Sequence, residues 1–167
     1  VHRRLAVGDV WKDITQSLDE ESRLSDIILI TGGLGPTADD ITKPLLCQYF
    51  GGKLVVDEGA LANVKTIFEK LNRPLIERNL KQAEVPDVCT VVQNKRGTAP
   101  GMWFEKEGKI FVSMPGVPHE MKGMMLHDVL PKLQRRFHLL PIVHRTLLTA
   151  GIGESFLAER ISEFETS

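Results

Sequence analysis

The chain is short of several things, and each shortage removes a class of function. It has two cysteines in 167 residues, Cys47 and Cys89, both in apolar surroundings and without metal-ligand spacing. They read as reduced, buried thiols of a cytoplasmic chain rather than as a disulfide or a zinc site. No apolar stretch approaches the roughly 20 residues that a membrane span needs, and no signal-peptide pattern opens the chain. The formal net charge is −1, which leaves no electrostatic reason to expect nucleic acid or an anionic membrane as partner. There is neither an internal repeat nor a low-complexity segment. At 42% hydrophobic and 26% charged, the composition is that of a globular chain long enough for one core and the start of a second.

One segment stands out from this ordinary background. The apolar run Asp26-Ile27-Ile28-Leu29-Ile30 empties into Thr31-Gly32-Gly33-Leu34-Gly35-Pro36-Thr37-Ala38-Asp39-Asp40. Three glycines let the backbone take φ > 0 and approach a ligand without Cβ interference. Successive N–H groups in such a loop form an anion-binding nest, and the two acids downstream are placed to hold a divalent cation against a bound phosphate. A phosphorylated, nucleotide-like small molecule is the ligand this predicts. The alternative is a tight strand-to-helix connection whose glycines only turn the chain. The loop is not a P-loop, because no Gly-Lys-Ser/Thr follows, and it lacks the third glycine of a dinucleotide fingerprint.

The remaining pattern alternates strands with helices. Val1–Val7 reads as a strand with nothing ahead of it to pair with. Val10, Ile14 and Leu18 form a helical stripe over roughly 10–22, and residues 26–31 read as a parallel strand covered on both faces. The next helix ends at Phe50 before Gly51-Gly52; Pro44 fits its first turn, with Thr42 as N-cap and Asp39 and Asp40 ahead of it. A capping box between Thr37 and Asp40 is the competing arrangement. Residues 53–56 are a short strand or connector, and Leu61, Val64, Phe68 and Leu71 spell a helix. Pro74 opens a short helix with Leu75, Ile76, Asn79 and Leu80. Cys89–Val92 is a strand, and residues 101–105 and 109–114 form a hairpin about Glu107-Gly108. Pro118 begins a helix carrying Glu120, Met121 and Met124, and a last amphipathic stretch holds Val129, Leu133 and Phe137. Leu139-Leu140-Pro141 reads as a linker, His144–Ala150 as a strand and Ser155–Phe164 as a helix. The class is α/β with a mostly parallel sheet, in which ligands sit at the carboxyl ends of strands.

Four co-linear segments resemble the CinA-type proteins, relatives of the molybdopterin-binding proteins MogA and MoaB. They are Thr31–Thr37 with Asp39, Asp40 and Thr42; Asn79 with Gln82-Ala83 and Pro86; Asn94 with Gly97-Thr98-Ala99-Pro100-Gly101; and Met114-Pro115-Gly116-Val117-Pro118 with Glu120-Met121. The resemblance implies a three-layer MogA/MoaB-like domain over residues 1–138. Residues 139–167 then hold a linker and the start of a small KH-like domain. By the family pattern, the chain is expected to lack that domain's first strand and helix. The implied activity is hydrolysis of a nucleotide pyrophosphate, ADP-ribose to AMP and ribose 5-phosphate, with divalent Mg or Co and potassium. A homo-oligomer is implied too. Longer members carry a domain that deamidates nicotinamide mononucleotide, and nothing in this chain resembles it.

The resemblance also assigns roles. Asp40 is the first candidate for a catalytic or metal-binding carboxylate and Asp9 the second. Asp39 is a further metal ligand or a solvated charge at the helix start. Glu120 is a base or metal partner, unless it serves only the helix dipole. Thr31, Gly32, Gly33, Leu34, Gly35, Pro36 and Thr37 are expected on the phosphates, with Pro115, Gly116, Val117 and Pro118 presenting further backbone groups. Gly97 and Thr98 belong to the same set, the Thr98 hydroxyl either donating to substrate or only stiffening the start of the hairpin. His119 is expected to be exposed, Trp103 and the methionines core, and Lys43, Lys95 and Arg96 solvated surface.

Overall fold

The computed structural model describes residues 1–137, 143–146 and 148–165. The chain divides into two units, Val1–Phe137 and His138–Ser167. The first contains α1 (Trp11–Leu24), β1 (Ile27–Thr31), α2 (Thr42–Tyr49), β2 (Leu54–Val56), α3 (Glu58–Lys70), α4 (Glu77–Leu80), β3 (Glu84–Pro86), β4 (Thr90–Val92), β5 (Gly101–Lys106), β6 (Lys109–Met114), α5 (Pro118–Met124) and α6 (Leu130–Phe137).

The main sheet has the order β1-β6-β5-β4. β1 and β6 run parallel in the register Ile27 to Ile110 through Thr31 to Met114, as the continuous apolar run predicts, but β1 is an edge strand with Leu29 exposed and is not covered on both faces. The expectation of a mostly parallel sheet is met at this crossover pair, which bears the glycine loop. The β5–β6 and β4–β5 ladders are antiparallel. Glu107 and Gly108, both at positive φ (53° and 78°), close β5 onto β6 in the mirror-image turn that suits strand twist.

Side chains alternate across the sheet and build a core on each face. On one side Phe104, Phe111 and Met102 pack with Leu18 of α1 and Leu45 and Leu46 of α2. On the other, Trp103, Ile110, Val112 and Met114 pack with Met124 of α5 and Leu133 of α6. Helices thus cover both faces, which is the expected three-layer arrangement. Trp103, Met114 and Met124 are core, as read from sequence, and the Lys132 ammonium lies 4.0 Å from the Trp103 ring centroid.

Several expectations are corrected. Val1–Val7 forms no strand and is exposed: Arg3 and Arg4 interrupt its apolar face, and Arg3 turns to Glu21 at 3.0 Å. β3 was not expected, because a three-residue strand ending in proline leaves no periodicity to read; it pairs only with β2, antiparallel. α4 begins at Glu77, three residues after Pro74. Between α5 and α6 the helix widens to a π turn over Met125–Val129. Pro131, just beyond, has no N–H to donate and a ring that crowds the preceding turn. The N-cap of α2 is Ile41 rather than Thr42, with Pro44 in the first turn as expected.

The second unit holds α7 (Glu154–Glu165). No strand forms among the described residues of 144–150, where Leu148 is 96% exposed and no ladder partner is present. The linker reading at Leu139-Leu140-Pro141 lies outside the described residues. No helix among the described residues is long and apolar enough to cross a membrane.

Candidate functional site

β1 and β6 end side by side, and both deliver glycine turns at their carboxyl ends. The Gly32 N–H donates to the Met114 carbonyl at 3.0 Å, so the first turn leaves the sheet tied to the second. Gly32 and Gly33 have φ of +100° and +65°, conformations in which a Cβ would be strained. Thr42 fills the space where a Gly33 side chain would go, and its N–H donates to the Gly33 carbonyl at 3.1 Å. A Cβ on Gly116 would lie 3.3 Å from the Gly32 Cα, so the two turns meet backbone to backbone. Among the described residues, the N–H groups of Gly33, Leu34 and Gly116 have no protein acceptor. The Leu34 side chain is buried in the core, leaving only its backbone for a ligand. Pro115 is buried, Val117 is exposed, and Pro118 occupies the first position of α5.

Gly35 departs from the reason given for it. Its φ is not positive; it is glycine because a Cβ there would lie 2.5 Å from Asp40 Oδ2. The Asp40 carboxylate curls back over its own loop and accepts from the Thr37 N–H at 3.0 Å and from the Thr37 hydroxyl. The Asp40 N–H in turn donates to the Thr37 carbonyl at 3.1 Å. The Thr37–Asp40 reciprocity weighed as a capping box therefore exists, but it closes a turn rather than starting the helix. Burial works to raise the Asp40 pKa, and the hydrogen bonds from Thr37 and Gly35 with the charge of Lys43 outweigh it, holding the carboxyl below its ordinary value. Pro36 and Asp39 are exposed beside this turn.

A third turn comes to the same end of the sheet, because β4 ends and β5 begins there. Asn94, 2% exposed, organises it. Its Nδ2 donates to the Ala99 carbonyl at 3.0 Å and to Glu120 Oε2 at 2.6 Å, and its Oδ1 accepts from the Arg96 N–H at 3.0 Å. Asn63 on α3 donates to the carbonyls of Asn94 and Gly97. The Glu120 carboxylate rests on Gly97, in the space a Cβ would need. Glu120 thus joins the first turn of α5 to the 94–99 turn. The Thr98 hydroxyl has no intramolecular partner among the described residues. His119 is exposed, as expected, and its carbonyl accepts from Arg96 at 3.1 Å.

The structure brings the 31–37, 97–98 and 115–118 residues to one end of the sheet. Asp9 is exposed ahead of α1, with no hydrogen bond or ion pair among the described residues. Reading Lys43 as solvated surface proves incorrect. Lys43 is 9% exposed, and Nζ donates to the carbonyls of Lys81 and Gln82 at 3.2 and 3.3 Å. Burial lowers its pKa, with Glu84 and Asp40 acting the other way. The carbonyls that hold it come from a segment nearly forty positions later, beyond the reach of local pattern.

The donors suit a metal only in a restricted way. No three of His, Cys, Asp and Glu converge among the described residues, so no protein-only cage exists. An ionised Asp40 with exposed Asp39 beside it matches a hard cation that keeps waters and shares substrate phosphates, as Mg²⁺ does.

A family model described as a probable molybdopterin binding domain matches residues 1–135. A CinA-like protein of Flavobacterium psychrophilum is 47% identical over 166 residues, covering 99% of this chain and 40% of that protein. A putative competence-damage inducible protein of Caldicellulosiruptor bescii is 43% identical over 157 residues, covering 94% of this chain and 38% of that protein. The chain therefore spans about 40% of the length of these curated relatives. Among solved structures, CinA from Thermoplasma acidophilum, described as of unknown function, superposes with a TM-score of 0.60 at 33% identity. That match covers 77% of this chain and 71% of that one.

Proposed function

The chain belongs to the CinA-like proteins of the molybdopterin-binding-domain family, and from that premise we propose that it carries the phosphate site of a nucleotide pyrophosphate hydrolase. The reaction is ADP-ribose plus water to AMP plus ribose 5-phosphate, a P–O bond of the bridge breaking as one forms to the water oxygen. The observation that supports it is the pair of glycine turns with free N–H groups at Gly33, Leu34 and Gly116. Fixed backbone dipoles of this kind hold phosphoryl oxygens and stabilise the charge that grows on them in an in-line displacement. Thr98, with its free hydroxyl, donates from the third turn. Asp40 stays ionised and fixes the 35–40 turn, and Asp39 and Asp40 are the residues that would hold a divalent cation. When bound, that cation would neutralise phosphoryl charge. Potassium and a cytoplasmic homo-oligomer belong to the same proposal through the family resemblance.

A second reading, a binding module without turnover, draws on a specific observation. Two of the three candidate catalytic carboxylates, Asp40 and Glu120, are already engaged in holding turns together. Incubating the chain with ADP-ribose, Mg²⁺ or Co²⁺ and K⁺ while following AMP by phosphorus NMR separates the two. The hydrolase reading expects AMP release that falls at least about a hundredfold in Asp40→Asn, which keeps the shape of the turn and removes its charge. A folded chain that binds ADP-ribose without releasing AMP establishes the binding module instead.

A further inference from the structure

Beside the glycine loop, and sharing Gly35, Pro36 and Thr37 with it, lies a recess whose other lining residues the proposed hydrolysis does not use. It has a volume of about 380 Å³ and lies between Gly35, Pro36 and Thr37 on one side and α4 with the turn after it on the other. That is at the small end of ligand sites, which run from about 300 to 1,000 Å³; it has room for a phosphate and part of a sugar, not for a dinucleotide. Glu77, Arg78, Lys81, Gln82 and the buried Lys43 supply its polar groups. Lys81 is paired with Glu77 at 3.1 Å, so the recess as a whole carries an excess of positive charge.

Two of its buried groups are poorly satisfied. The Lys43 ammonium has no carboxylate within ion-pair distance among the described residues. Its two acceptors are carbonyls at 3.2 and 3.3 Å, longer than the roughly 2.7–2.9 Å of a strong charge-assisted bond. A third N–H of the ammonium has no partner among the described residues. Gln82 is 6% exposed, and its Oε1 has no hydrogen-bond partner. A buried cation held this loosely is costly unless an anion completes it. An orphaned amide oxygen beside it asks for a donor such as a ribose hydroxyl.

We propose that this recess is a second anion subsite, taking the distal phosphate and adjoining sugar of a diphosphate ester while the glycine loop holds the proximal phosphate, with Lys43 at its centre. The inference rests on the glycine loop being a phosphate site. It makes Lys43, Arg78 and Lys81 the residues that distinguish a diphosphate from a monophosphate. Gly35, Pro36 and Thr37 form the wall common to both compartments, so a diphosphate bridge passes from one to the other across them.

Titration calorimetry of the full chain with ADP and with AMP, at low salt, tests this. The native chain is expected to bind ADP at least about tenfold more tightly than AMP, the gain of one charge-assisted contact. In Arg78→Ala/Lys81→Ala, whose side chains are exposed and whose loss leaves the core intact, ADP weakens towards AMP while AMP is unchanged. Lys43→Met does the same more strongly, and Lys43→Arg recovers part of the preference. Should Lys43→Met fail to fold, the exposed double variant decides alone. Equal affinity for ADP and AMP in the native chain overturns the subsite, as does a preference that survives the double variant. No binding of either nucleotide overturns it together with the phosphate loop. An intact ADP preference without hydrolysis of ADP-ribose removes the hydrolase and leaves the subsite standing, and hydrolysis without the preference does the reverse.

Discussion

A carboxylate that accepts hydrogen bonds from its own loop resists protonation, and Asp40 is such a group. Its pKa is lower in the folded chain than in the unfolded one. The stability it contributes is therefore whole above the unfolded value and is lost as pH falls through the folded value. Asp40→Asn should cost no more than about 1 kcal/mol at neutral pH, because solvent screens the site. The gap between native chain and variant should close as pH drops below the ordinary aspartate range, measured by urea unfolding at a series of pH values. A gap independent of pH would mean that the charge contributes nothing to the turn. At this scale the sequence was half legible. Gly32 and Gly33 are glycines for the backbone reason that their pattern suggests. Gly35 and Gly97 are glycines because Asp40 and Glu120 occupy the space of their missing side chains, a fact of three dimensions. Asn94 was visible as a motif position, but its role in tying Glu120 to the 94–99 turn needed the fold. Lys43 was misread for the same reason, since its acceptors at Lys81 and Gln82 are remote in sequence.

Among elements, the hairpin β5–β6 carries the core on both of its faces, and its two apolar runs about Glu107-Gly108 made it readable in advance. Phe104 is one of its two buried aromatics on the side of α2. It is 1% exposed and stacks on Phe50 with centroids 4.2 Å apart and planes 11° from parallel. Phe104→Ala should lower unfolding stability by about 3–5 kcal/mol, read from the midpoint of urea denaturation at unchanged slope. A loss under 1 kcal/mol would show that the core on this face does not depend on the stack. β5 and β6 were found where expected with their apolar runs buried, and β1 and α3 were found there with part of their apolar pattern exposed, at Leu29 and Leu71. Val1–Val7 and β3 were not, the first because scattered apolar residues do not make a face, the second because three residues are too few to show a period. Among the described residues of the expected strand at His144–Ala150, no strand forms.

For the whole molecule, the three turns that form the candidate site all lie within Val1–Phe137 and at one end of its sheet. This follows from topology: two parallel strands end together, and the hairpin returns β5 to start where β6 finishes. The sequence order of the glycine segments shows nothing of that convergence until the register Thr31 to Met114 is known. The central claim is that these turns receive a phosphate. Amide nitrogen–proton correlation NMR during titration with ADP-ribose reads it directly. The account predicts shifts concentrated at Gly32, Gly33, Leu34, Gly35, Thr98 and Gly116, with the largest at Gly33 and Gly116. Shifts that leave these amides in place and gather elsewhere, or no shifts at saturating ligand, would contradict it.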